Sequence, residues 1–135
     1  MRIDGTCHCG QISYEAEVDP DKVAICHCTD CQALSGTAFR TLVPVPESMF
    51  RLLSGTLKVY VKTGDSGARR EQAFCGNCGS PLYAAPADYT GERVLNLRIG
   101  TAKQRYDLVP KVQLWHRSAI GWLQDFAGMP AKDKQ

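Results

Sequence analysis

"CHCGQISYEAEV", residues 7–18, decides how the chain is read. Its second half alternates strictly. Ile12, Tyr14, Ala16 and Val18 are apolar and Gln11, Ser13, Glu15 and Glu17 between them are polar, which is the period of a half-buried strand. Its first half sets Cys7 and Cys9 one residue apart and follows them with Gly10. After the second thiol the chain must turn back tightly so that backbone N–H groups can point at sulfur, and glycine permits the φ > 0 this often requires. A strand thus leaves directly from a sulfur-rich turn, and "DPDK" at 19–22 turns the chain again.

Strand signals recur downstream. "TLKVYVKT" (56–63) opposes Leu57, Val59 and Val61 to Lys58, Tyr60 and Lys62, and "RVLNLRIG" (93–100) opposes Leu95, Leu97 and Ile99 to Asn96 and Arg98. "KVQLWHRS" (111–118) places Val112 and Leu114 inward. From Thr37 to Val43, Phe39, Thr41 and Val43 share a face, and Pro44 and Pro46 end that strand or keep it at an edge. Helical signals are few: Thr29 can cap a single turn through "DCQALSG", stopped at Gly36, and "ESMFRLL" (47–53) fits a helical turn or a short strand. Short strands separated by turns give a mostly β, antiparallel architecture. The chain reads as a single domain over residues 1–127 with a frayed tail at 128–135.

Composition narrows the function classes. The chain has 135 residues, 44% hydrophobic and 22% charged, enough for one modest core. Seven cysteines are an odd number, and at about 5% of the residues they fall short of a disulfide scaffold. No early apolar segment and no membrane-length apolar run is present, so the expectation is a reducing cytoplasm and no membrane partner. The formal charge is +2, but seven thiolates would remove seven charges and two zinc ions restore four, leaving −1. With no dense Lys/Arg run ("KTGDSGARR", 62–70, contains an acid), no nucleic-acid partner is expected. The oligomeric state is not legible.

The cysteines sort into two kinds. "CHCG" (7–10) and "CGNCG" (75–79) are both close thiol pairs followed by glycine, and Cys7, Cys9, Cys75 and Cys78 make a closed tetrahedral site. Cys26, Cys28 and Cys31 of "CHCTDC" then have no fourth cysteine. Three protein ligands and one exchangeable position describe a catalytic zinc, whereas four describe a structural one. The alternative is that His27, His8, His116 or Asp30 closes the second site.

With the sulfurs placed, the chain resembles the glutathione-dependent formaldehyde-activating enzyme family, which includes centromere-protein-V-like members. The matching features are "CHCG" running into "ISYE", "CHCTDCQ" with Gly36 and Phe39 beyond it, "FCGNCGSPLY", "RIGT", and Pro110, Trp115, Ser118 and Trp122. The resemblance implies a β-tent fold of packed antiparallel sheets with very short helices and two zinc ions. Cys7, Cys9, Cys75 and Cys78 would hold the structural ion, and Cys26, Cys28 and Cys31 the catalytic one. It also implies a carbon–sulfur lyase reaction, the reversible joining of a thiol such as glutathione to an aldehyde such as formaldehyde, giving S-hydroxymethylglutathione. For the two carboxylates of glutathione the candidate partners are Arg69 and Arg70, with Arg40 and Arg98 behind them. This chain has Gln32 where many relatives carry a basic residue, and Gln113 where a histidine is common. The rival functions are a non-catalytic zinc-stabilised binding module and a zinc-thiolate redox sensor.

Overall fold

The computed structural model of the chain describes residues 1–135. In chain order the elements are β1 (Arg2–Thr6), β2 (Ser13–Glu17), β3 (Ala24–Cys26), α1 (Thr29–Ser35), β4 (Arg40–Pro46), β5 (Phe50–Ser54), β6 (Leu57–Thr63), β7 (Arg69–Cys75), β8 (Pro81–Pro86), β9 (Val94–Arg98) and β10 (Val112–Leu114), with short 3-10 turns between them. They form two sheets, β1-β2-β5 and β10-β3-β4-β9-β8-β7-β6. All pairings are antiparallel except β10 on β3, which is parallel. The expected mostly β class of packed antiparallel sheets is what forms. No helix is long and apolar enough to cross a membrane.

The core lies where the inner faces of the sheets meet. Ile12, Tyr14, Ala16 and Val18, the apolar half of the alternation around β2, are all buried, together with Ile3 of β1. They pack in one cluster with Val43 and Val45 of β4, Leu82 of β8 and Leu97 of β9. Tyr14 is fully buried, and its hydroxyl meets Thr101 Oγ1 at 3.0 Å, satisfying the polar end of a large ring. Gly5 makes room for that ring: a Cβ there would lie 2.5 Å from Tyr14 Cζ and from the Thr101 carbonyl oxygen.

Three expectations are corrected. Val59 and Val61 lie in the predicted strand β6 yet are exposed, because β6 is the outermost strand of the seven and the three-stranded sheet leaves it uncovered. Val112 and Leu114 are exposed as well, since β10 is the opposite edge. In β4 Pro44 sits inside the strand, while Pro46 ends it as expected. β3 pairs only with Arg40, Thr41 and Leu42, so beyond them one side of β4 is free. Proline cannot donate, so the ladder to β9 runs through Val43 and Val45, and Pro44 and Pro46 face the free side. The "ESMFRLL" ambiguity resolves into a 3-10 turn, Glu47–Met49, followed by β5.

The larger sheet uses both faces. Cross-strand partners share a face, so Cys26 stands with Arg40, Leu42 with Arg98, Asn96 with Ala84, Ala84 with Gln72, and Arg70 with Lys62. Residues that the alternation assigns to the polar side thus line up across the sheet beneath α1.

Candidate functional site

Two groups of thiols form, and they match the partition reached by counting. In each, the sulfurs all lie within 4.8 Å of one another. In the first, Cys7 and Cys9 come from the turn after β1, Cys75 ends β7 and Cys78 lies in the turn to β8. Cys7 Sγ is 3.5 Å from Cys9 Sγ, which is 3.7 Å from Cys75 Sγ. A tetrahedral zinc with bonds of ~2.3 Å sets its sulfurs about 3.8 Å apart, whereas a disulfide needs about 2.0 Å. All seven cysteines are free. The donors also carry the support that thiolates need: Ile12 N donates to Cys7 Sγ at 3.3 Å, and Cys78 Sγ lies 3.2 Å from Ser80 Oγ. The Ser80 hydroxyl, with the Ser80 and Cys9 backbone N–H groups, holds the Cys78 thiol down to about 5. Gly10 and Gly79 have φ +83° and +78° with open space around them, so the turn conformation alone requires glycine there.

The second group is more local. Cys26 ends β3, Cys28 caps α1, and Cys31 lies in the first turn of α1. The cap is Cys28 rather than Thr29, because the Cys28 sulfur accepts the Cys31 backbone N–H at 3.3 Å, a bond that also supports a thiolate. Gly36, at φ 68°, ends the helix as expected. Burial pushes the Cys26 thiol up, and burial together with the neighbouring sulfurs pushes Cys31 up to about 12. Three sulfurs in this space resist ionising together unless a cation joins them. The donor set therefore fits a thiophilic metal, held by Cys26, Cys28 and Cys31.

None of the four candidate closing residues joins the trio. His27 is buried and turned away, its Nε2 2.8 Å from Gln113 Oε1 and its ring edge-on to His116 at 5.7 Å. His8 lies at the other thiol group, where its backbone N–H bonds Ser80. Asp30 forms an ion pair with Lys62 of β6.

Over the trio opens a cleft of about 300 Å³. Its walls bring together Leu34 of α1, Leu114, Trp115 and the polar line across the larger sheet: Arg40, Lys62, Arg70, Gln72, Asn96 and Arg98. Of the four arginines expected near a substrate, Arg40, Arg70 and Arg98 are in the cleft. Arg69, next to Arg70 and therefore on the opposite face, is outside it and paired with Asp88 at 3.1 Å. Trp115 is half-exposed at the rim and has φ 53°, the single non-glycine residue in the left-handed region. Neither Trp115 nor Trp122 belongs to the core, contrary to the usual place of large aromatics.

Gln32 does not face the cleft. Its Nε2 donates to the His27 carbonyl at 2.8 Å and to the Ser118 carbonyl at 3.0 Å, tying α1 to the chain after β10. Together Gln32 and Gln113 hold His27 and the loop between Cys26 and Cys28. Nothing in the sequence alone marks Lys62, Gln72, Asn96 or Leu114 as a site residue. Strand parity relative to Cys26 would have found the polar three, but only once the strand order was known.

The chain belongs to the glutathione-dependent formaldehyde-activating enzyme family, whose model matches residues 2–118. It is 30% identical over 88 residues to an uncharacterized lyase of Schizosaccharomyces pombe, a stretch covering 61% of this chain and 56% of that protein. The match thus spans little more than half the length of that relative. The crystal structure of a Rhodobacter sphaeroides protein is similar with a TM-score of 0.60 at 22% identity, covering 82% of this chain and 98% of that one, and it supports the fold.

Proposed function

We propose that the chain is a zinc-dependent carbon–sulfur lyase that joins a thiol, glutathione or a relative, reversibly to an aldehyde such as formaldehyde. Three mutually close thiols without a fourth protein donor, opening into a cleft, carry this reading. Family membership and the lyase-named relative support it. Cys7, Cys9, Cys75 and Cys78 hold a structural zinc, and Cys26, Cys28 and Cys31 a catalytic one. Bound there, the ion supplies a position at which a substrate thiol's pKa falls.

The chain's own residues do the rest. The cleft holds the two reactants side by side, which converts an encounter in solution into a step within one complex. The sulfur bonds to the carbonyl carbon, the C=O π pair moves to oxygen, and the thiol proton ends on that oxygen as a hydroxyl. No oxidant or reductant is needed. Asp30 is the one carboxylate of the cleft, and its pairing with Lys62 places an acid–base pair at the rim for that proton.

Exchange NMR on glutathione and formaldehyde with the zinc-loaded protein tests the reading. Adduct formation faster than in buffer, and lost in Cys28→Ser, is expected. An unchanged rate with two zinc ions bound would leave a zinc-stabilised binding module.

A further inference from the structure

The cleft floor holds more positive charge than the trio can use. Arg40 and Arg98 are 6% exposed, and the Nε of each is buried without a hydrogen-bond partner. The Arg40 side chain makes one hydrogen bond, Nη1 to Gln72 Oε1 at 3.2 Å, and those of Arg98 and Arg70 make none. No carboxylate pairs with any of the three; Asp30, the one acid of the cleft, is taken by Lys62. Elsewhere in the same protein a half-buried guanidinium is treated differently: Arg93 is clamped by Glu47 at 2.6 Å and Glu71 at 2.7 Å. Burying an arginine without an acid is costly, and Arg98 feels both its burial and the like charge of Arg40.

Charge compensation of the trio does not account for all three. Three thiolates around a divalent ion carry one net negative charge, and three guanidiniums bring three positive ones. Resting on the thiol–aldehyde reading, we propose that Arg40, Arg98 and Arg70 form a carboxylate subsite in the floor of the cleft. One of the two reactants would then carry a carboxylate only a few bonds from its reacting sulfur or carbonyl carbon. The short reach follows from register. Arg40 pairs directly with Cys26, and Arg98 with Leu42 on the same face, so both side chains leave the sheet beside the trio, and Arg70 lines the same cleft from β7. Guanidinium is suited to this by its planar fork, which takes both oxygens of a carboxylate.

The test uses the zinc-loaded protein and Arg98→Gln. Calorimetry compares 3-mercaptopropionate with 1-propanethiol, which has the same carbon chain without the carboxylate, and NMR compares glyoxylate with formaldehyde, each with 2-mercaptoethanol as the thiol. A preference of about tenfold or more for 3-mercaptopropionate, lost in Arg98→Gln while 1-propanethiol binds as before, assigns the carboxylate to the thiol. The same preference for glyoxylate, lost in the same variant, assigns it to the carbonyl compound. No preference in either arm overturns the subsite. If neither thiol binds but propionate binds in an Arg98-dependent way, the subsite stands and the thiol reading falls. If propionate fails too, both fall. Arg98→Gln should also melt no lower than the parent, because it removes an unpaired buried charge; a melting point lower by ten degrees would make Arg98 a structural residue.

Discussion

The two thiol groups use the same chemistry and do opposite things to the chain. Cys9 and Cys75 are 66 residues apart, and their group joins the turn after β1 to the turn after β7. Cys7 and Cys75 are buried within the main core cluster. The trio lies between positions 26 and 31 and packs on a small separate cluster, Ala24, Cys26 and Leu42. By chain entropy, a crosslink across a loop of about 66 residues is worth about 4 kcal/mol, and one across about five residues roughly half of that. Where a protein places its ligands along the chain therefore says whether a metal is there to hold the fold or to be reached from outside. A group that closes a long loop in the core is part of the scaffold. One that closes a short loop at a cleft adds about half as much to stability and is open to a substrate.

The largest effect expected from that contrast is at Cys75. A structural zinc contributes an apparent ~10–16 kcal/mol, as much as the whole stability of an ordinary domain, so Cys75→Ser should show no cooperative melt at 25 °C by circular dichroism. Cys28→Ser should instead keep a cooperative melt close to that of the parent, because serine is itself a good helix cap, and lose thiol affinity by more than about a hundredfold in calorimetry. Equal unfolding of the two variants would erase the distinction. Gly5→Ala, which forces a Cβ against Tyr14 and the Thr101 carbonyl on the core side, should cost about 1–3 kcal/mol in urea denaturation. Gln32→Ala, on the side of the trio, removes two hydrogen bonds and should cost about 1–2 kcal/mol, read as faster hydrogen exchange around Ser118.

The core side was the more legible. Ile12, Tyr14, Ala16 and Val18 read as one face of a strand and are one, because β2 is covered on that face along its length. The sulfur partition was legible for a similar reason: ligand count and spacing are local properties of the sequence. The cleft was not. Asn96, Arg98, Arg70 and Lys62 read as the solvent side of alternating strands, and alternation separates the two faces of a strand without saying what lies over either. Only the strand order, in which β3 and β9 flank β4, puts Cys26, Arg40 and Arg98 on one surface. Arg69 and Arg70 show the limit best. They carry the same charge at adjacent positions, and the pleat sends them to opposite faces. The exposure of Val59, Val61, Val112 and Leu114 has the same origin, since an edge position is a property of the sheet and not of the strand.

The account depends most on the trio having room for one outside sulfur. Calorimetric titration of the protein carrying two zinc ions with glutathione and with 3-mercaptopropionate tests this directly. The predicted result is one thiol bound per chain, abolished in Cys31→Ser while that variant keeps one zinc and its cooperative melt. A two-zinc protein that binds neither thiol would contradict it.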